Sequence, residues 1–127
     1  MNLEKVVFGF FIVLAATLNF GFFVGDVDQP NHHDVYVLFA TIVINLIATV
    51  LKFGDRTQIG ALHLATSLVA DLQLAAAALI WGLAVHVHGT GFTPEAAVAV
   101  VSMSGGALMA NIISVVLLIA ETVMLRR

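Results

Sequence analysis

The stretch "IGALHLATSLVADLQLAAAALIWGLAV", residues 59–85, is apolar and long enough to cross a bilayer as a helix. It carries Asp71 near its centre, with Ser67 and His63 at four-residue intervals before it. Residues four apart share one face of a helix. An aspartate at the centre of a membrane helix costs about 2.5–3.5 kcal/mol on insertion scales. We therefore expect Asp71 to face protein, where it either meets hydrogen-bond donors or takes up a proton.

The rest of the chain has the same membrane character. Of its 127 residues, 61% are apolar and 10% are charged, whereas soluble domains carry about 25% charged residues. The apolar segments have the length of a bilayer core. The sequence therefore predicts an all-α integral membrane protein, a single domain built as a four-helix bundle. Its expected transmembrane helices cover about residues 5–25, 35–53, 58–87 and 94–124.

Capping residues mark the ends of these segments. Asp34 and Thr57 stand where helix N-caps are expected, and Gly54 follows the second segment directly. Thr93 and Pro94 form a cap followed by a proline in the first helical position. The short connections predict that successive helices pack as antiparallel neighbours.

The basic residues predict the orientation in the membrane. In a four-span topology all of them fall on one side of the bilayer: Lys5, Lys52, Arg56, Arg126 and Arg127. Cytoplasmic loops are enriched in lysine and arginine. We therefore expect both termini to be cytoplasmic, in a bacterial cytoplasmic (inner) membrane.

Polar residues recur inside the apolar segments. Asn45, Asp71 and Asn111 lie at similar depth in helices two, three and four, and Asn19 lies nearer the outer face. Carboxylate, amide and hydroxyl oxygens suit a small hard cation or a proton. The same groups also suit a structural clasp, in which Asp71 is hydrogen-bonded to asparagines. The residues of this predicted ion pathway or polar core are Asp71, Asn45, Asn111, Ser67, Thr41, His63 and Asn19.

Helix three also carries Gln73, which points about 200° around the helix from Asp71. A helix that is polar on two faces needs protein on both, so we expect a homo-oligomer with Gln73 at a subunit contact. Small residues recur every four positions in helix four and predict close helix packing, within or between subunits. This row consists of Ser102, Gly106, Ala110 and Ser114.

Four of the five histidines fall in the two outer connections: His32, His33, His86 and His88. Neutral imidazoles bind zinc, copper or nickel, and they titrate near physiological pH. Metal binding and sensing of external pH are therefore two hypotheses for these residues. The third is that they are ordinary solvated loop residues.

Several function classes lack support. The chain has no cysteine, which excludes disulfides and thiolate metal sites. It has no phosphate-binding loop, dinucleotide fingerprint or nucleophile elbow, so we expect no enzyme and no cofactor. The five basic residues are not interleaved with aromatics, which gives nucleic-acid binding no support.

In length and helix count the chain resembles small multidrug exporters, but it lacks their membrane-embedded glutamate, because Glu4 precedes the first segment. It also resembles fluoride channels in size, without their characteristic motifs. The main hypothesis is a small oligomeric channel or transporter that moves potassium, sodium, calcium or protons past Asp71. The alternative is a non-transporting accessory or regulatory subunit of a larger membrane complex, with Asp71 in a structural clasp.

Overall fold

The computed structural model describes residues 3–125, and side chains up to residue 124. Arg126 and Arg127, two of the residues used to predict orientation, lie outside the described residues. The chain is all-helical, as predicted. Its four long helices are α1 (Leu3–Phe23), α2 (Val35–Lys52), α3 (Gln58–Gly82) and α4 (Pro94–Leu125). All four segments are long and apolar enough to cross a membrane, which supports an integral membrane protein.

The helix starts follow from local side-chain chemistry. Oxygens of Asp34, Thr57 and Thr93 each accept a hydrogen bond from a backbone amide in the first turn of α2, α3 and α4 respectively. These bonds satisfy amides that have no partner within the helix. Gly54 follows α2 with φ of +91°, a conformation that glycine adopts without steric cost. The predicted caps are therefore confirmed.

The helices form an antiparallel, up-and-down bundle. α1 packs against α2 and α4, and α3 packs against the same two helices. We call the end of the bundle that holds Leu3, Lys52 and Gln58 the terminal end. The opposite end, which holds residues 24–34 and 88–93, is called the loop end.

Apolar packing is concentrated towards the loop end. The larger cluster of buried residues includes Phe22, Leu38, Leu74 and Val100, and contains no charged side chain. A smaller cluster around Phe8, Ile12 and Ala48 lies nearer the terminal end. The loop-end half of the bundle therefore holds most of the large buried apolar side chains, although buried polar residues such as Asn19, Ser104 and His33 lie there too.

The third apolar segment stays helical over Gln58–Val87, which is the predicted span, but its last five residues are not α-helical. It widens into a π-helical turn over Leu83–Val87, where the amide of His88 donates to the carbonyl oxygen of Leu83 at 2.7 Å. Such turns are uncommon and are rarely evident from hydrophobic spacing. The turn brings the His86 ring to 5.3 Å from the Trp81 ring.

Candidate functional site

Asp71 is held by two side chains of α2. Its Oδ1 accepts a hydrogen bond from Asn45 Nδ2 at 2.6 Å, and its Oδ2 accepts one from Thr49 Oγ1 at 2.6 Å. Asn45 and Thr49 lie one turn apart on α2 and therefore present their donors to the same point. We call these three residues the Asp71 clasp. It joins α2 to α3 in the middle of the bundle.

Both donors of the clasp have a second acceptor. Asn45 Nδ2 lies 3.3 Å from the carbonyl oxygen of Ser67, and Thr49 Oγ1 lies 2.9 Å from the carbonyl oxygen of Asn45. Asn45 is fully buried, whereas Asp71 is half-buried. The carboxylate thus sits at the edge of the α2–α3 seam rather than on the axis of the bundle.

Several buried polar atoms near the clasp make no hydrogen bond within the described chain. They are Asn45 Oδ1, Ser67 Oγ and both amide atoms of Asn111. We expected Asn111 to donate to Asp71 alongside Asn45, and the structure contains no such bond. A buried polar group without a partner costs about 1–3 kcal/mol, so each of these groups is left unsatisfied at a cost in stability.

Two contacts between α3 and α4 place Asn111 at the level of Ser67 and Asp71. Thr66 and Ser114 share a hydrogen bond of 2.6 Å. The Gln73 side chain fills the space beside Gly106, where an added Cβ would lie 1.7 Å from Gln73 Oε1. Asn111 lies between these contacts along α4, and the matching stretch of α3 contains Ser67 and Asp71.

The row of small residues in α4 thus packs against α3 of the same chain at Gly106 and Ser114, and Ala110 belongs to the larger apolar cluster. Ser102 is exposed and donates to the carbonyl oxygen of its own helix at Val98. The role of the row and of Gln73 between subunits stays a prediction.

Two predicted pathway residues lie apart from the clasp. Asn19 is buried, and its amide meets the hydroxyl of Ser104 at 2.7 Å, between α1 and α4. Thr41 is also buried, and it donates to the carbonyl oxygen of Val37 within α2 at 2.8 Å. These groups are satisfied where they lie and show no bond to Asp71.

A second group of polar residues lies at the terminal end, with one ionisable side chain from each helix. Lys5 donates to Oε2 of Glu121, and Oε1 of Glu121 lies 3.9 Å from Nε2 of His63. The Lys52 ammonium lies 4.2 Å from the centroid of the Phe8 ring. We call Lys5, Lys52, His63 and Glu121 the terminal-end cluster. An open cavity of about 890 Å³ is lined by all of them except His63.

Asp55 closes the terminal end beside this cavity. Its carboxylate accepts hydrogen bonds from the hydroxyl and the amide of Thr57, at 2.7 and 3.0 Å. These bonds lower the pKa of Asp55 below its ordinary value, with a smaller contribution from Lys52, 3.5 Å away. The connection between α2 and α3 is thereby fixed by a charged side chain.

The loop-end histidines have separate environments. His33 is buried, and its Nδ1 and Nε2 lie 2.6 Å and 2.8 Å from the carbonyl oxygens of Phe22 and Asp26. His32 Nδ1 accepts from the Asp26 amide at 2.9 Å. His86 and His88 are exposed on the other connection. Residues 3–125 contain no group of three or more His, Asp or Glu side chains arranged to hold a metal ion; metal binding and pH sensing stay predictions.

The chain matches one family model over residues 32–122, which is more than half of its length. The chain belongs to this family. It is described as a family of unknown function, DUF6394. No curated protein and no solved structure shows significant similarity to the chain.

The segment matched by the DUF6394 model contains α2, α3 and most of α4. It therefore includes the whole Asp71 clasp, Asn111, and three of the four residues of the terminal-end cluster, which are Lys52, His63 and Glu121. Lys5, the α1 partner of Glu121, and Asn19, the α1 partner of Ser104, precede the matched segment.

Sequence reasoning missed Thr49 and Glu121 as site residues. Thr49 follows Asn45 by one turn, so helical spacing was a usable signal for the second donor. Glu121 is the only acidic residue in the second half of the fourth segment. Its partners were not evident, because they depend on how far α1, α3 and α4 are rotated about their axes.

Proposed function

We propose that this protein moves a small cation, which is potassium, sodium, calcium or a proton, past Asp71 as a homo-oligomer in a bacterial cytoplasmic membrane, with both termini inside. The observation that carries the proposal is a set of buried side-chain oxygens at the level of Asp71 that accept no hydrogen bond from residues 3–125. They are Asn45 Oδ1, Ser67 Oγ and Asn111 Oδ1.

These groups have the chemistry of a hard-cation site. Uncharged amide and hydroxyl oxygens replace water around such an ion, and one carboxylate supplies the opposing charge. The two amide atoms of Asn45 differ in their bonding. Its Nδ2 donates a hydrogen bond to Asp71, whereas its Oδ1 accepts none from the described residues and is free to bind a cation. A bound cation would satisfy acceptors that are otherwise buried at a cost.

The cavity at the terminal end is the proposed cytoplasmic entrance, because it is open and lined with charged groups such as Lys52 and Asp55. Within one chain the loop-end half holds the larger apolar cluster. We therefore route the ion between subunits on the loop-end side, along the α2–α3 seam where Asp71 is half-buried.

A second candidate function is favoured by a different observation. Both carboxylate oxygens of Asp71 accept hydrogen bonds from α2 of the same chain, as a purely structural clasp requires. In this alternative the protein is a non-transporting subunit that assembles or regulates a larger membrane complex. It binds no ion at Asn111.

Ion-dependent stability separates the two candidates. Unfolding of the purified protein is followed in detergent with sodium, potassium, calcium or choline chloride at equal ionic strength. A ligand that binds only the folded state stabilises it by RT ln(1 + [L]/Kd), so one inorganic cation should raise the midpoint in a saturable way. Asn111→Leu should abolish this increase without lowering stability in choline, because it removes an unpaired buried amide.

Thr17→Val is the matched control, because Thr17 is exposed and bonds only to Leu14 of its own helix. It should keep the full ion effect. An ion effect that survives Asn111→Leu would contradict the proposed site. Identical midpoints in all four salts, together with no proton flux in liposomes, would also contradict it and favour the accessory subunit.

A further inference from the structure

His63 is completely buried, yet neither of its ring nitrogens makes a hydrogen bond within residues 3–125. Its Nε2 faces Oε1 of Glu121 across 3.9 Å, and that oxygen is also buried and without a hydrogen bond. The other carboxylate oxygen of Glu121 is held by Lys5. Two complementary groups thus face each other across a gap that is about 1 Å longer than a charge-assisted hydrogen bond.

We propose that His63 and Glu121 form a proton-binding site at the terminal end of the bundle. A proton that enters from the cavity, which is lined by Glu121 and not by His63, adds to a ring nitrogen of the neutral His63, and both ring nitrogens then carry hydrogen. The imidazolium draws the Glu121 carboxylate into a charge-assisted bond of about 2.7–2.9 Å. The carboxylate stays ionised, and it is shared between His63 and Lys5.

Burial of the imidazole is the largest influence on proton binding at His63 and opposes it, whereas the surrounding charges act in both directions. On the favourable side are the carboxylates of Glu121 on α4 and Asp55 in the α2–α3 connection. On the opposing side are the ammonium groups of Lys52 on α2 and Lys5 on α1. The Phe8 ring packs edge-on against the imidazole, at 4.9 Å between centroids. Because Lys5 is bound to the same carboxylate, its presence or absence should change how strongly the proton is held.

This site is separate from the cation site proposed at Asp71. His63 precedes Asp71 by eight residues on α3, which is about 12 Å along a helix. Proton binding at His63 therefore stands or fails independently of whether a cation passes Asp71.

The test is NMR of the full-length protein in lipid nanodiscs with ¹⁵N-labelled histidine, from pH 5 to pH 8.5. His63→Gln assigns the signal of His63 among the five histidines. The His63 ring nitrogens should move from neutral to imidazolium shifts as the pH falls. A ring that stays neutral throughout, in a protein whose helical circular dichroism is unchanged, would overturn the proposal.

Two variants should change the strength of proton binding at His63 in opposite directions, a result that a general loss of folding cannot produce. Glu121→Gln should weaken proton binding at His63 at least tenfold, because a nearby opposite charge accounts for one or more pH units. Lys5→Gln should strengthen it, because the carboxylate loses its competing cation. Glu95→Gln, an exposed position at the loop end, should leave the titration unchanged. A His63 titration that is the same in Glu121→Gln as in wild type would show that the two residues do not form one site.

Discussion

Loss of a donor from the Asp71 clasp should cost more stability than loss of the carboxylate itself. Thr49→Val removes the hydroxyl that donates to Asp71 Oδ2 at 2.6 Å and leaves that oxygen without a donor. Asp71→Leu leaves neither donor unpaired. Thr49 Oγ1 keeps the Asn45 carbonyl oxygen at 2.9 Å, and Asn45 Nδ2 keeps the Ser67 carbonyl oxygen at 3.3 Å.

The expected changes in the free energy of unfolding follow from the hydrogen bonds that each variant loses or keeps. A hydrogen bond to a charged group contributes about 1.5–3 kcal/mol, and the half-buried position of Asp71 puts Thr49→Val near the low end, about 1.5 kcal/mol. Replacing a charged group by an apolar one of similar size is often nearly neutral when no partner is left unpaired. We therefore expect Asp71→Leu to change the free energy of unfolding by less than about 1 kcal/mol.

The assay is unfolding of the purified variants by sodium dodecyl sulfate in mixed micelles, followed by helical circular dichroism. Thr17→Val is the control for removal of a threonine hydroxyl, because Thr17 bonds only to its own helix, and it should stay close to wild type. An Asp71→Leu variant that is clearly less stable than Thr49→Val would refute this description of the clasp. It would mean that the carboxylate stabilises the bundle through contacts other than these two bonds.

The terminal end supplies two further predictions. Gly60→Ala should destabilise the protein by about 1–3 kcal/mol, because its Cβ would lie 2.2 Å from Cγ of Asp55, which is held in place by Thr57. Gly21→Ala is the control, because its Cβ would meet no atom within 4 Å, and it should be neutral or slightly stabilising in the same unfolding assay with sodium dodecyl sulfate. The pKa of Asp55 is lowered in the folded state, so its ionised form stabilises the fold above the unfolded value of about 3.8, and this contribution is lost as the pH falls through the lower, folded value. The stability difference between wild type and Asp55→Asn should therefore shrink below about pH 4. A difference that grows below this pH would contradict the predicted direction of the pH dependence.

The four helices and their caps could be predicted because they depend on local sequence. Apolar runs of bilayer length, with Asp34 and Thr57 at the right positions, fix where α2 and α3 begin. The pairing of Asn45 with Asp71 was also within reach, because two antiparallel neighbours with short connections bring these positions to similar depth.

The remaining contacts depend on how each helix is rotated about its axis, which packing decides. Asn111 was expected beside Asp71, but its side chain makes no hydrogen bond within residues 3–125, although it lies at a similar level. His63 was grouped with Ser67 and Asp71 by spacing on α3, whereas its nearest charged partner, Glu121, comes from α4. Spacing along one helix gives the shared face, but it does not say which neighbouring helix covers that face.

Ion flux into liposomes tests the central claim most directly. Wild type and Asp71→Asn are reconstituted at equal density, and uptake of potassium, sodium, calcium and protons is compared. Asparagine can keep the Thr49 bond through its amide oxygen, so the variant should fold and assemble as wild type does. We predict that wild type carries at least one of these ions and that Asp71→Asn loses the flux with its oligomeric state unchanged. Absence of flux for every ion in a folded wild-type protein, or equal flux in the variant, would contradict cation movement past Asp71.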